Sequence, residues 1–142
     1  MIIKQVSVFL ENKSGRLSEV TEILGNAGIN ISAFTIADTS DFGILRLVVS
    51  DPDKAREVLK ENAFSVQTTE VILAKTPNTP GSLTRLLKVL NEGGSFIEYM
   101  YAFSMDNNSA VIVLRPTNIQ KCMQILETHR DEFLLNDEHY QL

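Results

Sequence analysis

Between Lys4 and Leu10 the chain alternates, with Val6, Val8 and Leu10 on one side and Ser7 and Phe9 on the other. A period of two predicts a strand. A polar turn follows at Asn12–Gly15, and the period then lengthens. Leu17, Val20, Leu24 and Ala27 fall at spacings of three, four and three, which predicts an amphipathic helix. Gly28 stands where such a helix ends on a left-handed residue. Alternation returns over Asn30–Asp38, with Ile31, Ala33 and Thr35 on one face. Thr39–Gly43 supplies turn residues and Ile44–Val49 a third strand. Asp51 and Pro52 are a cap and a first-turn proline for a second helix, which carries Ala55, Val58 and Leu59 inward. Phe64–Thr69 reads as a fourth strand. The predicted order is βαββαβ.

The same order then repeats. Asn12, Gly15 and Leu17 recur as Asn78, Gly81 and Leu83, 66 residues on, and Leu24, Gly28 and Ile31 recur as Leu90, Gly94 and Ile97. Glu70–Thr76 repeats strand one. Leu83, Leu86, Leu87 and Leu90 predict the core stripe of helix one. Phe96–Ser104 repeats strand two, Asp106–Ser109 the hairpin turn, and Ala110–Arg115 strand three. The offset becomes 67 by Cys122, the counterpart of Ala55, which points to one residue added near Pro116. Thr117–His129 is the second helix and Phe133–Tyr140 the last strand. No Gly/Ser/Pro-rich spacer separates the copies, so the last strand of one runs into the first strand of the next. The expected architecture is α+β: two ferredoxin-like βαββαβ modules in tandem, residues 1–69 and 70–142. Each has an antiparallel sheet with helices on one face. Side-by-side pairing of the modules would cover exposed sheet edges. Edges left open permit a homodimer.

Composition narrows the function. The 142 residues are 44% hydrophobic and 22% charged, with a net charge of −5. No basic stripe is present, which argues against nucleic acid. No apolar run approaches a membrane span, and the N-terminus lacks the features of a secretion signal. Cys122, a single cysteine on an apolar helix stripe, is expected to be buried and inert, in keeping with a cytoplasmic protein. No metal-ligand spacing, cofactor motif or catalytic signature occurs, so no cofactor is expected. His129 and His139 are expected as surface or capping residues. The acidic residues Asp131, Glu132, Asp137 and Glu138 read as a solvated face. Tyr99, Tyr101 and Phe103 share one face of a strand and read as packing.

The run from Val8 to Leu17, with Asn12, Ser14 and Gly15, followed by Gly28-Ile29-Asn30-Ile31, resembles the start of an ACT domain. The second copy carries the fuller turn, Asn78-Thr79-Pro80-Gly81-Ser82-Leu83, and departs later at Gly94-Ser95-Phe96-Ile97. The resemblance spans nearly the whole chain and implies a free-standing pair of ACT modules. It also implies an amino-acid ligand, a regulated enzyme of amino-acid metabolism as partner, and no catalysis by the chain itself. Leu10 and Thr76 stand where the serine-sensing type has histidine.

The turn chemistry suits such a ligand. First-turn N–H groups of a helix lack intrahelical partners, and the helix dipole favours an anion there. Gly15 and Gly81 keep the backbone open, while Asn12 and Asn78 offer a donor and an acceptor each. Candidate ligand-binding residues are therefore Asn12, Ser14, Gly15 and Leu17 in one copy, and Asn78, Pro80, Gly81 and Leu83 in the other, with Asn30 added. The resemblance places each turn opposite strand two of the other module, at the junction of the two. The Asn78 turn would then meet Asn30 and the Asn12 turn would meet Phe96, making the first the better site for a polar amino acid. Two alternatives stay open. The asparagines can be plain turn residues of a protein-interaction subunit without a ligand, or the scaffold can carry an enzyme.

Overall fold

The structure is a computed structural model and describes residues 1–11, 13–38, 42–105 and 107–135, with the backbone alone at 104. It contains β1 (Ile2–Glu11), α1 (Arg16–Asn26), β2 (Ile31–Asp38), β3 (Phe42–Val49), α2 (Pro52–Glu61) and β4 (Ser65–Pro77). After these come α3 (Ser82–Glu92), β5 (Ile97–Met105), β6 (Ser109–Pro116), α4 (Ile119–Glu127) and a short α5 (Arg130–Phe133). The chain divides into two compact units. One holds Lys4–Thr69, and the other holds Met1–Ile3 with the described residues from Glu70 onward. The fold is α+β, built from two ferredoxin-like repeats.

In the unit Lys4–Thr69 the strand order is β2-β3-β1-β4. β1 and β3 are antiparallel, with Val6 opposite Leu47, Val8 opposite Leu45 and Glu11 opposite Phe42. The alternation seen in the sequence puts Val6, Val8, Leu45 and Leu47 on one face. There they pack with Val20 and Leu24 of α1 and Ala55 and Leu59 of α2. Asp51 caps α2, its carboxylate accepting from the Lys54 N–H at 3.1 Å, and Pro52 opens that helix. Lys54 then donates through Nζ to the Ala27 carbonyl at 2.8 Å, setting a cation at the negative end of α1.

Helices α1, α2 and α3 end in the same way. In each, two backbone N–H groups reach back three and five residues: Gly28 and Ile29 after α1, Ala63 and Phe64 after α2, Gly94 and Ser95 after α3. This closure needs a left-handed residue. Gly28 and Gly94 supply it with φ of 73° and 77°, but after α2 the position is Ala63, with φ 65°. Alanine carries a Cβ penalty in that region.

In the unit containing Glu70 the order is β4-β6-β5. Ile72, Ala74, Ile112 and Leu114 face Leu86, Val89 and Leu90 of α3 and Cys122 and Leu126 of α4. Four expectations change here. First, β4 is one strand of 13 residues, so the two predicted strands on either side of residue 70 are continuous. Second, the extra residue of this copy lies in β5. The β5–β6 pairing slips between Ala102 and Ser104, whereas the first copy shares only the earlier slip, at Ile31/Ala33 and Ile97/Tyr99. Phe103 thus interrupts the alternation that Tyr99 and Tyr101 begin. Third, Phe133 ends α5 rather than opening a strand. Leu134 follows with an isolated antiparallel bridge to Ala74; Leu135 is not in a strand, and residues 136–140 of the predicted last strand, with His139, lie outside the described residues. Fourth, Leu83 is 44% exposed and Val89 takes its place in the core, because Leu83 sits in the first turn of α3, before the helix has met the sheet.

Cys122 is fully buried, and burial pushes its thiol above the ordinary value, with the neighbouring Ser95 hydroxyl opposing part of that rise. His129 lies between α4 and α5, where its carbonyl accepts from the N–H groups of Glu132 and Phe133. Its ring centroid is 6.0 Å from that of Phe133.

Replacing Ala63 by glycine is expected to raise stability by about 1 kcal/mol, because the left-handed strain is relieved. Urea unfolding checks this, and an unchanged or lower midpoint would contradict it. A second expectation concerns acid. Arg85 donates to Glu132 through Nε at 2.8 Å and Nη2 at 3.3 Å. These bonds hold the Glu132 carboxyl below its ordinary value of 4.5, against a smaller opposing effect of burial. A depressed carboxyl stabilises the fold above its unfolded value, and the contribution disappears as pH falls through the folded one. Glu132→Gln should therefore cost less than about 1 kcal/mol at neutral pH for so exposed a pair, and progressively less as pH falls through the lowered folded value.

Candidate functional site

The two candidate turns adopt one conformation. Gly15 precedes α1 with φ 85° and ψ −4°, and Gly81 precedes α3 with φ 87° and ψ −11°. Arg16 N–H donates to the Lys13 carbonyl at 3.5 Å, and Ser82 N–H to the Thr79 carbonyl at 3.2 Å. Ser14 therefore allows the same turn as Pro80. A Cβ added at either glycine would meet nothing within 4 Å. The requirement for glycine is the left-handed backbone itself, and the space before each turn is open.

Neither α1 nor α3 receives a side-chain cap. The second helix of each copy does: Asp51 caps α2 and Asn118 caps α4, its Oδ1 accepting from Lys121 N–H at 3.0 Å. Among the described residues, the N–H groups of Leu17 and Ser18 in α1, and of Leu83 and Thr84 in α3, have no acceptor. They form two matched, exposed sets of donors at positive helix ends. Such ends take anions, and a carboxylate is an anion of the right size.

The remaining candidates fall as follows. Asn12 lies outside the described residues. Ser14, Gly15 and Leu17 share the first turn, and Leu17 is 41% exposed, like its counterpart Leu83. Asn78, Pro80, Gly81 and Leu83 share the second turn. Asn78 is half-buried, and its N–H donates to the Asn108 carbonyl at 3.2 Å, which ties the turn to the β5–β6 hairpin. Asn30 sits beyond the other end of α1. Its N–H donates to Ser50 Oγ at 3.0 Å and its carbonyl accepts from Ser50 N–H at 3.0 Å. An 11-residue helix is about 16 Å long, so Asn30 shares no small-ligand site with the Gly15 turn of its own unit.

Charged groups that the sequence reading passed over flank the first turn. Lys13 lies 2.8 Å from Glu11 and holds that carboxyl below its ordinary value; Arg16 adds to the effect. Arg16 also binds Glu19 at 3.2 Å and stacks over Phe64 with its guanidinium carbon 5.3 Å from the ring centroid. In the other unit a hollow of about 410 Å³ runs along α3, lined by Leu87, Leu90, Ser95 and Phe96 among others. Phe96 is 74% exposed there, and the Ser95 hydroxyl is buried beside the Cys122 thiol. Among the described residues no cluster of His, Cys, Asp and Glu could hold a metal ion, and no helix is long and apolar enough to cross a membrane.

Two ferredoxin-like repeats in one chain, each opening its first helix on an uncapped left-handed glycine, define a duplicated α+β module with paired anion-accepting turns. Residues 1–142 match the family described as the ACT domain pair, and the chain belongs to that family. It is similar to the acetolactate synthase small subunit of Buchnera aphidicola subsp. Baizongia pistaciae (strain Bp). The two are 26% identical over 132 residues, covering 80% of this chain and 78% of that one. Its fold matches the crystal structure of protein BT0572 from Bacteroides thetaiotaomicron with a TM-score of 0.91. Identity there is 51%, over 100% of this chain and 98% of that one. The ligand-free regulatory subunit of aspartate kinase from Thermus thermophilus shares the fold with a TM-score of 0.64. Identity is 10%, with 90% of this chain and 96% of that one covered.

Gly81→Ala is expected to cost about 1–2 kcal/mol, since nothing clashes and only the left-handed backbone resists. Gly25→Ala, inside α1 with open space around it, should instead gain up to about 1 kcal/mol. Equal effects of the two substitutions on the urea midpoint would contradict this account of the turns.

Proposed function

We propose that this protein is a non-catalytic regulatory protein of the cytoplasm that binds a free amino acid and modulates an enzyme of amino-acid metabolism. The observation that carries the reading is the selective absence of side-chain caps at α1 and α3, against caps present at α2 and α4. Leaving helix N–H groups unbonded has a stability cost of about 1 kcal/mol per missing cap. Side-chain caps bond the third N–H of α2 and α4, and their lack at α1 and α3 leaves the matching N–H groups of Ser18 and Thr84 available to something outside the chain. The ligand carboxylate would lie on them, beside Gly15 or Gly81, with Asn12, Ser14 and Leu17 or Asn78, Pro80 and Leu83 around it, and Asn30 available to a polar ligand.

Membership of the ACT domain pair family supports this reading. So does likeness to an acetolactate synthase small subunit. Regulation would follow from differential affinity: the ligand shifts the partner only as far as it binds the two states of the complex unequally. An interaction subunit that never binds a ligand is the competing reading, and it leaves the open helix ends unexplained.

A thermal-shift panel with the twenty amino acids tests the proposal. Binding at a hundredfold excess over Kd should stabilise the fold by about 2.7 kcal/mol. Gly81→Val should abolish the shift given by any amino acid held at the second turn. Asn78→Ala combined with Asn30→Ala should weaken a polar amino acid most. No stabilisation by any amino acid at millimolar concentration would remove the sensor reading.

A further inference from the structure

One hollow in the unit Lys4–Thr69 has a chemistry that the fold itself does not demand. It has a volume of about 170 Å³ and is lined by Phe9, Phe42, Phe64 and Ala63, with the charged residues Glu11 and Arg16. Phe9 and Phe42 are 37% and 52% exposed, so both side chains are only partly covered. The second copy builds the same strands and helix without these side chains. Its strand register sets Pro77 opposite Ser109 where the first copy sets Glu11 opposite Phe42. Likewise Lys75 and Ser82 hold the positions of Phe9 and Arg16. Three aromatic or charged side chains and a carboxylate are thus dispensable to the architecture, yet they converge on one hollow.

Two details give the hollow a direction. Ala63 keeps a methyl group in its wall at a left-handed position where the matching helix ends carry Gly28 and Gly94. Strain retained at one place, when glycine would relieve it, marks a place where the side chain is used. Arg16 is the second detail. Its guanidinium is stacked on Phe64, it makes one side-chain hydrogen bond among the described residues, to Glu19, and it pairs with Glu11 at 3.9 Å, beyond hydrogen-bond reach. A guanidinium has five N–H donors, so most of its fork is unspent. Glu11 lies on the same hollow. Aromatic walls beside the Arg16 guanidinium and the Glu11 carboxylate complement a small zwitterion with an apolar side chain.

We infer that this hollow binds the aliphatic side chain of a free amino acid, with Arg16 joining the open N–H groups of α1 on its carboxylate and Glu11 taking its ammonium. The inference rests on the amino-acid reading above and adds the class of amino acid and the residues that select it. A volume of about 170 Å³ is below the roughly 300 Å³ at which sites for drug-sized ligands begin, and suits one aliphatic chain.

Titration calorimetry on the full chain tests it, with Phe9→Lys, Phe42→Ser, Arg16→Gln and Ala63→Gly beside the wild type. The first two place the second copy's residues at exposed positions of the same fold, so these variants should stay folded, as far-UV circular dichroism would verify. The expected result is that an aliphatic amino acid binds the wild type and that each of the first three variants weakens it about tenfold or more. Ala63→Gly should raise Tm and still weaken binding, a split that a purely structural role does not produce. Affinities unchanged in the Phe9 and Phe42 variants, or binding of polar amino acids alone, would overturn the hollow as the site and leave the amino-acid reading standing. A wild type that binds no amino acid would overturn both.

Discussion

Each first helix of this chain can begin only because one residue turns its backbone to φ near +85°. Gly15 and Gly81 do so, and neither brings a side chain that could bond the helix end behind it. A Ser, Thr, Asp or Asn at a conventional cap would have satisfied an N–H of the first turn and closed the positive end. The left-handed glycine instead starts the helix and leaves that end open. Everything proposed for the protein depends on this substitution of backbone geometry for side-chain chemistry. Asp51 and Asn118 show the same chain using ordinary side-chain caps at its second helices.

Duplication lets the two copies be read against each other. Positions that agree report what the module requires: the glycines before and after the first helix, the buried Val20, Leu24, Leu86 and Leu90, and a lysine from the second helix set against the end of the first. Lys54 donates to the Ala27 carbonyl, and Lys121 brings its Nζ to 3.1 Å from where a Cβ on Gly94 would stand. Positions that disagree report what each copy has been free to change. Phe9, Arg16 and Phe42 against Lys75, Ser82 and Ser109 is the largest such change around one hollow. Two modules with equal frames and unequal linings are suited to respond to different ligands, or to one ligand with unequal affinity.

Most of the fold was legible because strands and helices here obey their periods closely. Val6, Val8 and Leu10 alternate, and they are buried as a row. Period alone does not tell where a helix first meets its sheet, so Leu17 and Leu83 fit the stripe and yet stand exposed. A bulge is invisible to a constant offset until the next matching residue, which is why the extra residue pointed to Pro116 while the pairing slips at Ala102/Ser104. The turns were legible as motifs, but their open helix ends were not. That contrast needs hydrogen bonds, because Asn78 looks like a cap and yet no side chain caps α3. The hollow beside the first turn was harder still. Its lining comes from residues 9, 11, 16, 42 and 63–65, and only the mismatch between the copies could have signalled it.

The most direct measurement is a set of ¹⁵N–¹H correlation spectra of the labelled protein, titrated with the amino acid that stabilises it most. If the open helix ends hold the carboxylate, the amide resonances of Leu17 and Ser18, or of Leu83 and Thr84, should move saturably with the ligand. Those of Lys54 and Lys121, bonded to the caps of the second helices, should stay in place. Saturable binding that leaves all four first-turn amides unmoved would contradict the account.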